Sequence, residues 1–278
     1  MRIASLRISV VMMGLLAIGA ISPSSAATVA EMFGKSNAAS TVVVDHSAWT
    51  KLLSTYVVAS PDGINRVRYA DFKKEGHQGL KAYVKSLEAV EVAGLSRNEQ
   101  WAYWANLYNA KTIDIVLDAY PVKSIKDISL GGGLVAAFSG GPWKAKVLKV
   151  AGQDLSLDDI EHGLLRPVFK DPRVHYSVNC ASIGCPNLMR EALTGAKLDA
   201  QLDAGAKAYI NNPRGISVSG GQVTASSIYK WFAEDFGGPA GAIAHARSYA
   251  EPALKQKLES ITTISGYDYN WSLNDAAR

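Results

Sequence analysis

Six residues carry side chains that, brought together, do nucleophilic chemistry: Cys180, Cys185, His175, Glu161, His162 and Asn109. The 2 cysteines of the chain stand close together in His175-Tyr-Ser-Val-Asn-Cys180-Ala-Ser-Ile-Gly-Cys185-Pro186. A thiolate attacks carbonyls, an imidazole takes and returns the proton, and a carboxylate holds the imidazole in register. Glu161 and His162 supply a second imidazole and an acid. As helix neighbours they point about 100° apart and so serve different partners. His162 reads either as a general base or as an ordinary surface or core histidine, and Glu161 either orients His175 or pairs with Arg166 or Arg173. Asn109 with Asn106 sits in the middle of a helix, a poor place for Asn unless its amide bonds something specific. It is read as a polarising group or as a clamp on a loop.

Two further readings of the cysteines stay open. A nearby pair in an exported chain commonly forms a structural disulfide, and the four-residue gap is not the C-x-x-C of disulfide oxidoreductases. No recognised metal spacing links the Cys, His and Glu residues to zinc, and no cofactor motif is present.

The elements that must position these groups follow from periodicity. Arg173 to Asn179 alternates as a strand, which puts His175 on the face opposite Cys180 and about 16 Å from it if the strand stays regular. Cys185-Pro186 reads as a helix start, where the helix dipole would lower the thiol's pKa. Ser96-Arg-Asn-Glu99 is a capping box opening a long helix through Trp101, Trp104, Leu107 and Tyr108 that Pro121 stops. Ser156-Leu-Asp-Asp159 caps a helix carrying Glu161 and His162 that ends before Pro167. Hairpins are expected around Ala151-Gly152 and Gly220-Gly221, helices over 198–210 and between Pro239 and Ile261, and a short amphipathic helix through Ile228, Trp231, Phe232 and Phe236. Helical spacing also appears at Trp49, Leu52, Leu53 and Tyr56, and the six tryptophans suit either a ligand cleft or a core. Helices with hairpin-linked antiparallel strands make an α+β fold, one domain over 49–278 preceded by a polar tail over 27–48.

Composition narrows the function. The chain of 278 residues is 48% hydrophobic and 19% charged, inside the globular range. Two of its 29 basic residues, Arg2 and Arg7, lie in a leader without acids, which leaves 27 cations against 25 anions and no basic run for nucleic acid. After Arg7, an apolar stretch of roughly a dozen residues runs to Ile21, short of the about 20 a bilayer span needs. Ser24-Ser25-Ala26 then fits a cleavage site, so residues 1–26 read as a signal peptide. The mature chain is expected to be periplasmic or secreted, without a membrane span.

Four segments taken in order resemble a known family. They are Trp104-Ala-Asn-Leu-Tyr-Asn-Ala110, Leu157-Asp-Asp-Ile-Glu-His162 with Leu165-Arg166, His175 to Ser182 with Cys185-Pro186, and Ile228-Tyr-Lys-Trp-Phe232 with Asp235-Phe236. Together they resemble the domain of unknown function 547 family over about 101–236, and Tyr267-Asp-Tyr-Asn-Trp-Ser-Leu-Asn274 is similar to its tail. The resemblance marks Asn109, Glu161, His175, Cys180 and Cys185 as the family's characteristic polar positions, with Tyr176 where Phe is more usual. It implies no activity; similar domains occur in exported bacterial proteins and in plant proteins with coiled coils. Two functions are therefore expected to compete. One is a thiol-dependent hydrolase or acyltransferase acting on a peptide or amide bond. The other is a non-catalytic envelope module, stapled by a Cys180–Cys185 bridge, that binds a small molecule or peptide.

Overall fold

In the computed structural model the described residues are 27–130 and 141–277. The leader expected over 1–26, and most of the Gly-bounded loop between Gly131 and Gly141, lie outside them. The helix over Arg97–Ala119 is the axis of the molecule, and from Gln100 to Leu117 nearly every side chain is buried. A helix apolar on one stripe would expose its other face; this one is surrounded. Ser96 Oγ accepts the Glu99 amide at 3.4 Å, but Glu99 does not close the capping box: its carboxylate accepts the amides of Gly195, at 3.2 Å, and Val44. The helix His77–Glu88 packs beside it, and Ser47–Tyr56 packs in turn on His77–Glu88, where Trp49 stacks on Tyr83.

The expected tail contains structure. Thr28 caps a short helix over Val29–Phe33, and the Phe33 ring is buried edge-on against Trp104, centroids 5.3 Å apart. One large apolar residue in a polar stretch was the signal.

Two antiparallel hairpins form as expected. Leu148–Val150 pairs with Gln153–Leu155, and Ile216–Ser219 pairs with Gln222–Ser226. Gly220 and Gly221 both take positive φ at the second turn, the conformation a two-residue hairpin needs and a Cβ disfavours. The strand Gly266–Asp268 joins the second hairpin in parallel, an exception to the antiparallel expectation that follows from its arrival after a helical crossover, Gly238–Tyr249 and Pro252–Leu258. The architecture is α+β in a single domain, with a main core around the long helix and a smaller one built on Tyr176, Tyr209, Tyr229 and Phe236. Among the described residues no helix is long and apolar enough to cross a membrane.

Two expectations fail in ways that matter for the site. Arg173 to Asn179 is not a strand: Val174–Ser177 is a single helical turn, closed by Ser177 Oγ donating to the Val174 carbonyl at 2.8 Å, and the chain becomes extended only at Val178. Pro167 does not end its helix either. Leu157–Ile160 widens into a π turn over Glu161–Leu165 and resumes over Arg166–Phe169. The wide turn precedes the proline, whose missing N–H would otherwise break the ladder.

Candidate functional site

A cavity of about 310 Å³, within the range of small-molecule sites, opens where the two cores meet. It brings together five of the six candidate residues: Cys180, Cys185, His175, Glu161 and His162 line it. The helical turn at Val174–Ser177 makes this possible. A strand would have set His175 and Cys180 on opposite faces, whereas the turn and the loop after it face both into one space.

Asn109 lies outside the cavity. Its Nδ2 donates to the Ser177 carbonyl and its Oδ1 accepts the Asn179 amide, both at 2.8 Å. With both amide atoms held by backbone, Asn109 clamps the segment that carries the cysteines, and Asn106 clamps Leu193 in the same way. Asn179 continues the brace by accepting the Ala181 amide and donating to the Pro186 carbonyl.

The Cys180 and Cys185 sulfurs lie at disulfide distance, with Cα atoms 6.2 Å apart. No helix follows Pro186, so no helix dipole acts on Cys185; a tight turn closed by its amide to the Ser182 carbonyl takes the helix's place. Direct donors converge on the Cys185 sulfur instead. The Cys180 amide lies 3.0 Å from it, the Tyr269 hydroxyl 3.1 Å and the Ser182 hydroxyl 3.3 Å. Tyr269 and Ser182 also reach Cys180 Sγ, at 3.2 and 3.5 Å, but no backbone amide does. Burial drives the Tyr269 pKa far above its ordinary value, so the hydroxyl keeps its proton and remains a donor.

Asp235, not Glu161, orients His175. Its Oδ2 accepts from His175 Nε2 at 2.7 Å, while Arg166 holds both of its oxygens. Burial alone would raise the Asp235 pKa, but the hydrogen bonds from His175 and Arg166 outweigh it and keep the carboxyl well below the usual range. With Nε2 engaged, Nδ1 is the ring nitrogen left for proton transfer. Phe232 stacks on the imidazole at 4.4 Å and fixes its plane.

Glu161 pairs with neither of the arginines expected for it, because Arg166 goes to Asp235 and Glu234 and Arg173 to Asp171, Asp199 and Asp203. The closest basic side chain to Glu161 is its neighbour His162, at 4.0 Å, and the other ring nitrogen of His162 is 3.9 Å from Asp158. Burial raises the Asp158 pKa and repulsion from Glu161 adds to it, against attraction to His162 and Lys144.

The tryptophans divide between the two roles considered for them. Trp49, Trp101 and Trp104 are core, whereas Trp143, Trp231 and Trp271 line the cavity with Phe232 and Tyr269. Tyr269 and Trp271 arrive on the C-terminal segment, which the amides of Ile183 and Gly184 fix by donating to the Ser272 and Asn270 carbonyls at 2.8 Å. The aromatic density of Tyr267-Asp-Tyr-Asn-Trp271 was the available signal for these two residues. Asp235 had none beyond its place beside Phe236.

The cavity residues do not gather as metal ligands. Among the described residues the one set with three such atoms in reach of each other is His77, Asp114 and Asp118, elsewhere on the molecule, and there Lys81 Nζ already sits 2.9 Å from Asp114 and 3.0 Å from Asp118.

Residues 92–210 match the model of the family described as "Protein of unknown function, DUF547". The match covers the long helix, Glu161, His175 and both cysteines, and it ends before Asp235, Tyr269 and Trp271. Searches of curated proteins and of solved structures found no match.

Proposed function

We propose that this is an exported thiol-dependent hydrolase or acyltransferase acting on a peptide or amide bond, with Cys185 as nucleophile, His175 as base and Asp235 as the group that orients it. The observation that carries the reading is the shared cavity: an imidazole anchored through Nε2 by a carboxylate lines the same space as a sulfur with a backbone amide and two hydroxyls in hydrogen-bond range. Donors to a sulfur stabilise its thiolate. The pair must first be reduced, two electrons and two protons coming from an external dithiol. Cys185 Sγ then attacks the carbonyl carbon, and His175 passes the thiol proton to the leaving amine as the C–N bond breaks. Water or another acceptor next displaces the thioester, returning its proton through His175 to the thiolate. The Tyr269 hydroxyl and the Cys180 amide stand beside the sulfur, where the carbonyl oxygen gains charge.

The test is p-nitrophenyl acetate on the reduced protein. A burst of nitrophenol with an acetyl adduct mapped to Cys185, absent in Cys185→Ser and slowed about 10²-fold or more in His175→Asn, supports the reading. Acetylation of neither cysteine, or equal rates in His175→Asn, overturns it. The bonding distance of the two sulfurs favours the second reading, a stapled binding module, in which Cys180→Ser costs about 2 kcal/mol of stability and no acyl adduct forms.

A further inference from the structure

The cavity has a second half that the thiol chemistry does not use. Asp158 and Glu161 stand one helical turn apart and both line the space. Glu161 is 9% exposed. Buried carboxylates are ordinarily paired with a cation, since an unpaired charge out of water is costly. Here no Lys or Arg among the described residues comes within 4.0 Å of either one, and the single imidazole that approaches them, His162, stays at 3.9 and 4.0 Å. Lys144 also lines the cavity but is exposed and makes no ion pair with Asp158. Asp235 is taken up by His175 and Arg166, and Glu234 by Arg166.

The remaining wall is aromatic. Trp231 packs on Tyr269 at 4.8 Å and on Trp271 at 5.7 Å, and Trp271 meets Trp143 at 5.7 Å. Trp231 is 47% exposed, a costly place for an indole without a partner. Trp271 already takes a cation on its ring, Lys126 Nζ lying 5.1 Å from the centroid. Aromatic faces beside unpaired carboxylates form a receptor for an organic cation: the rings attract the charge through their quadrupoles, and the acids neutralise it.

From these features we infer that the cavity selects a ligand bearing a protonated amine on an apolar stem, held by Asp158 and Glu161 together with Trp231 and Trp271. Taken as the substrate site of the reaction proposed above, this names the substrate class as an amide or peptide with a free ammonium group near the bond attacked. The binding itself needs no thiol, so it can be tested apart from catalysis.

Tryptophan fluorescence of the full protein, titrated with 2-phenylethylammonium, 2-phenylethanol and 3-phenylpropionate, reads the selection directly. The expected result is saturable quenching by the ammonium, at least ten-fold tighter than the alcohol, with no saturation by the carboxylate. Cys185→Ser should retain the preference, and Asp158→Asn with Glu161→Gln should abolish it. Equal binding of ammonium and alcohol by the native protein overturns the inference whatever the variants do, as does an unchanged preference in the folded double variant. Loss of the ammonium preference while Cys185 still acylates leaves the thiol reading standing and removes this one; retained preference without acylation does the reverse.

Discussion

Two of the clusters that combine imidazole with carboxylates among the described residues account for charge in opposite ways. At His77 the acids are saturated. Buried Asp114 accepts from His77 and Lys81 through one oxygen and from Lys111 through the other, and Lys81 also reaches Asp118. Burial would raise the Asp114 pKa, yet these bonds pull it below its usual value. At the cavity Asp158 and Glu161 have no such partners, and the Asp158 pKa goes up rather than down. The first cluster ties two packed helices together. The second keeps charge unmatched around an open space, an arrangement that lowers stability and gains only when something binds. At His77 the matched charge serves the scaffold, and at Asp158 and Glu161 the unmatched charge lines the cavity.

The largest expected effect tests the imidazole at the cavity. Asp235→Asn takes away the acceptor for His175 Nε2 and should slow acetylation of Cys185 by about 10²- to 10⁴-fold, measured as the burst rate. An unchanged rate would leave Asp235 a structural partner of Arg166.

The sharpest contrast is in stability. Asp114→Asn strips the partner from two lysines and an imidazole and should cost about 3 kcal/mol in denaturant unfolding, with acylation unaffected. Glu161→Gln removes an unmatched charge and should change stability by under about 1 kcal/mol, in the stabilising direction. Similar losses in both variants would dissolve the distinction between the two clusters.

Imidazoles without any carboxylate partner serve as a control. Burial pushes His46 and His245 down to about 4. The unfolded chain, with histidines near 6.5, therefore binds more protons than the folded one between pH 6.5 and 4, and stability falls as pH drops through that window. His46→Gln should flatten part of the decline in Tm. A Tm independent of pH between 6.5 and 4 contradicts the assignment of these two histidines as buried and neutral.

A last variant probes the C-terminal wall. A Cβ on Gly184 would lie 2.9 Å from the Asn270 amide nitrogen and 3.0 Å from the Tyr269 ring. Gly184→Ala should cost about 1–3 kcal/mol and slow Cys185 alkylation by displacing Tyr269. Normal alkylation with normal stability would mean that the segment does not depend on this contact.

Much of this was legible from residue order. The long helix, both hairpins and the 198–210 helix follow from the Ser96 cap, glycine pairs and periodicity. The turn at Val174–Ser177 was hidden because four residues satisfy strand alternation and one helical turn equally well, and only Asn109 and the packing around Tyr176 decide between them. Asp235 and Tyr269 were hidden for another reason: they meet His175 and Cys185 across 60 and 84 residues of chain, and spacing along a sequence carries no trace of such contacts. The pairing of Glu161 with an arginine was a reasonable local guess that failed because other carboxylates lie closer to both.

The most direct measurement is the pH dependence of iodoacetamide alkylation of the reduced protein, with each cysteine resolved by mass spectrometry. The account predicts that Cys185 reacts first, with a midpoint below the ordinary thiol value of about 8.5 that rises in Tyr269→Phe. Preferential reaction at Cys180, or a Cys185 midpoint at or above 8.5 that Tyr269→Phe leaves alone, would contradict it.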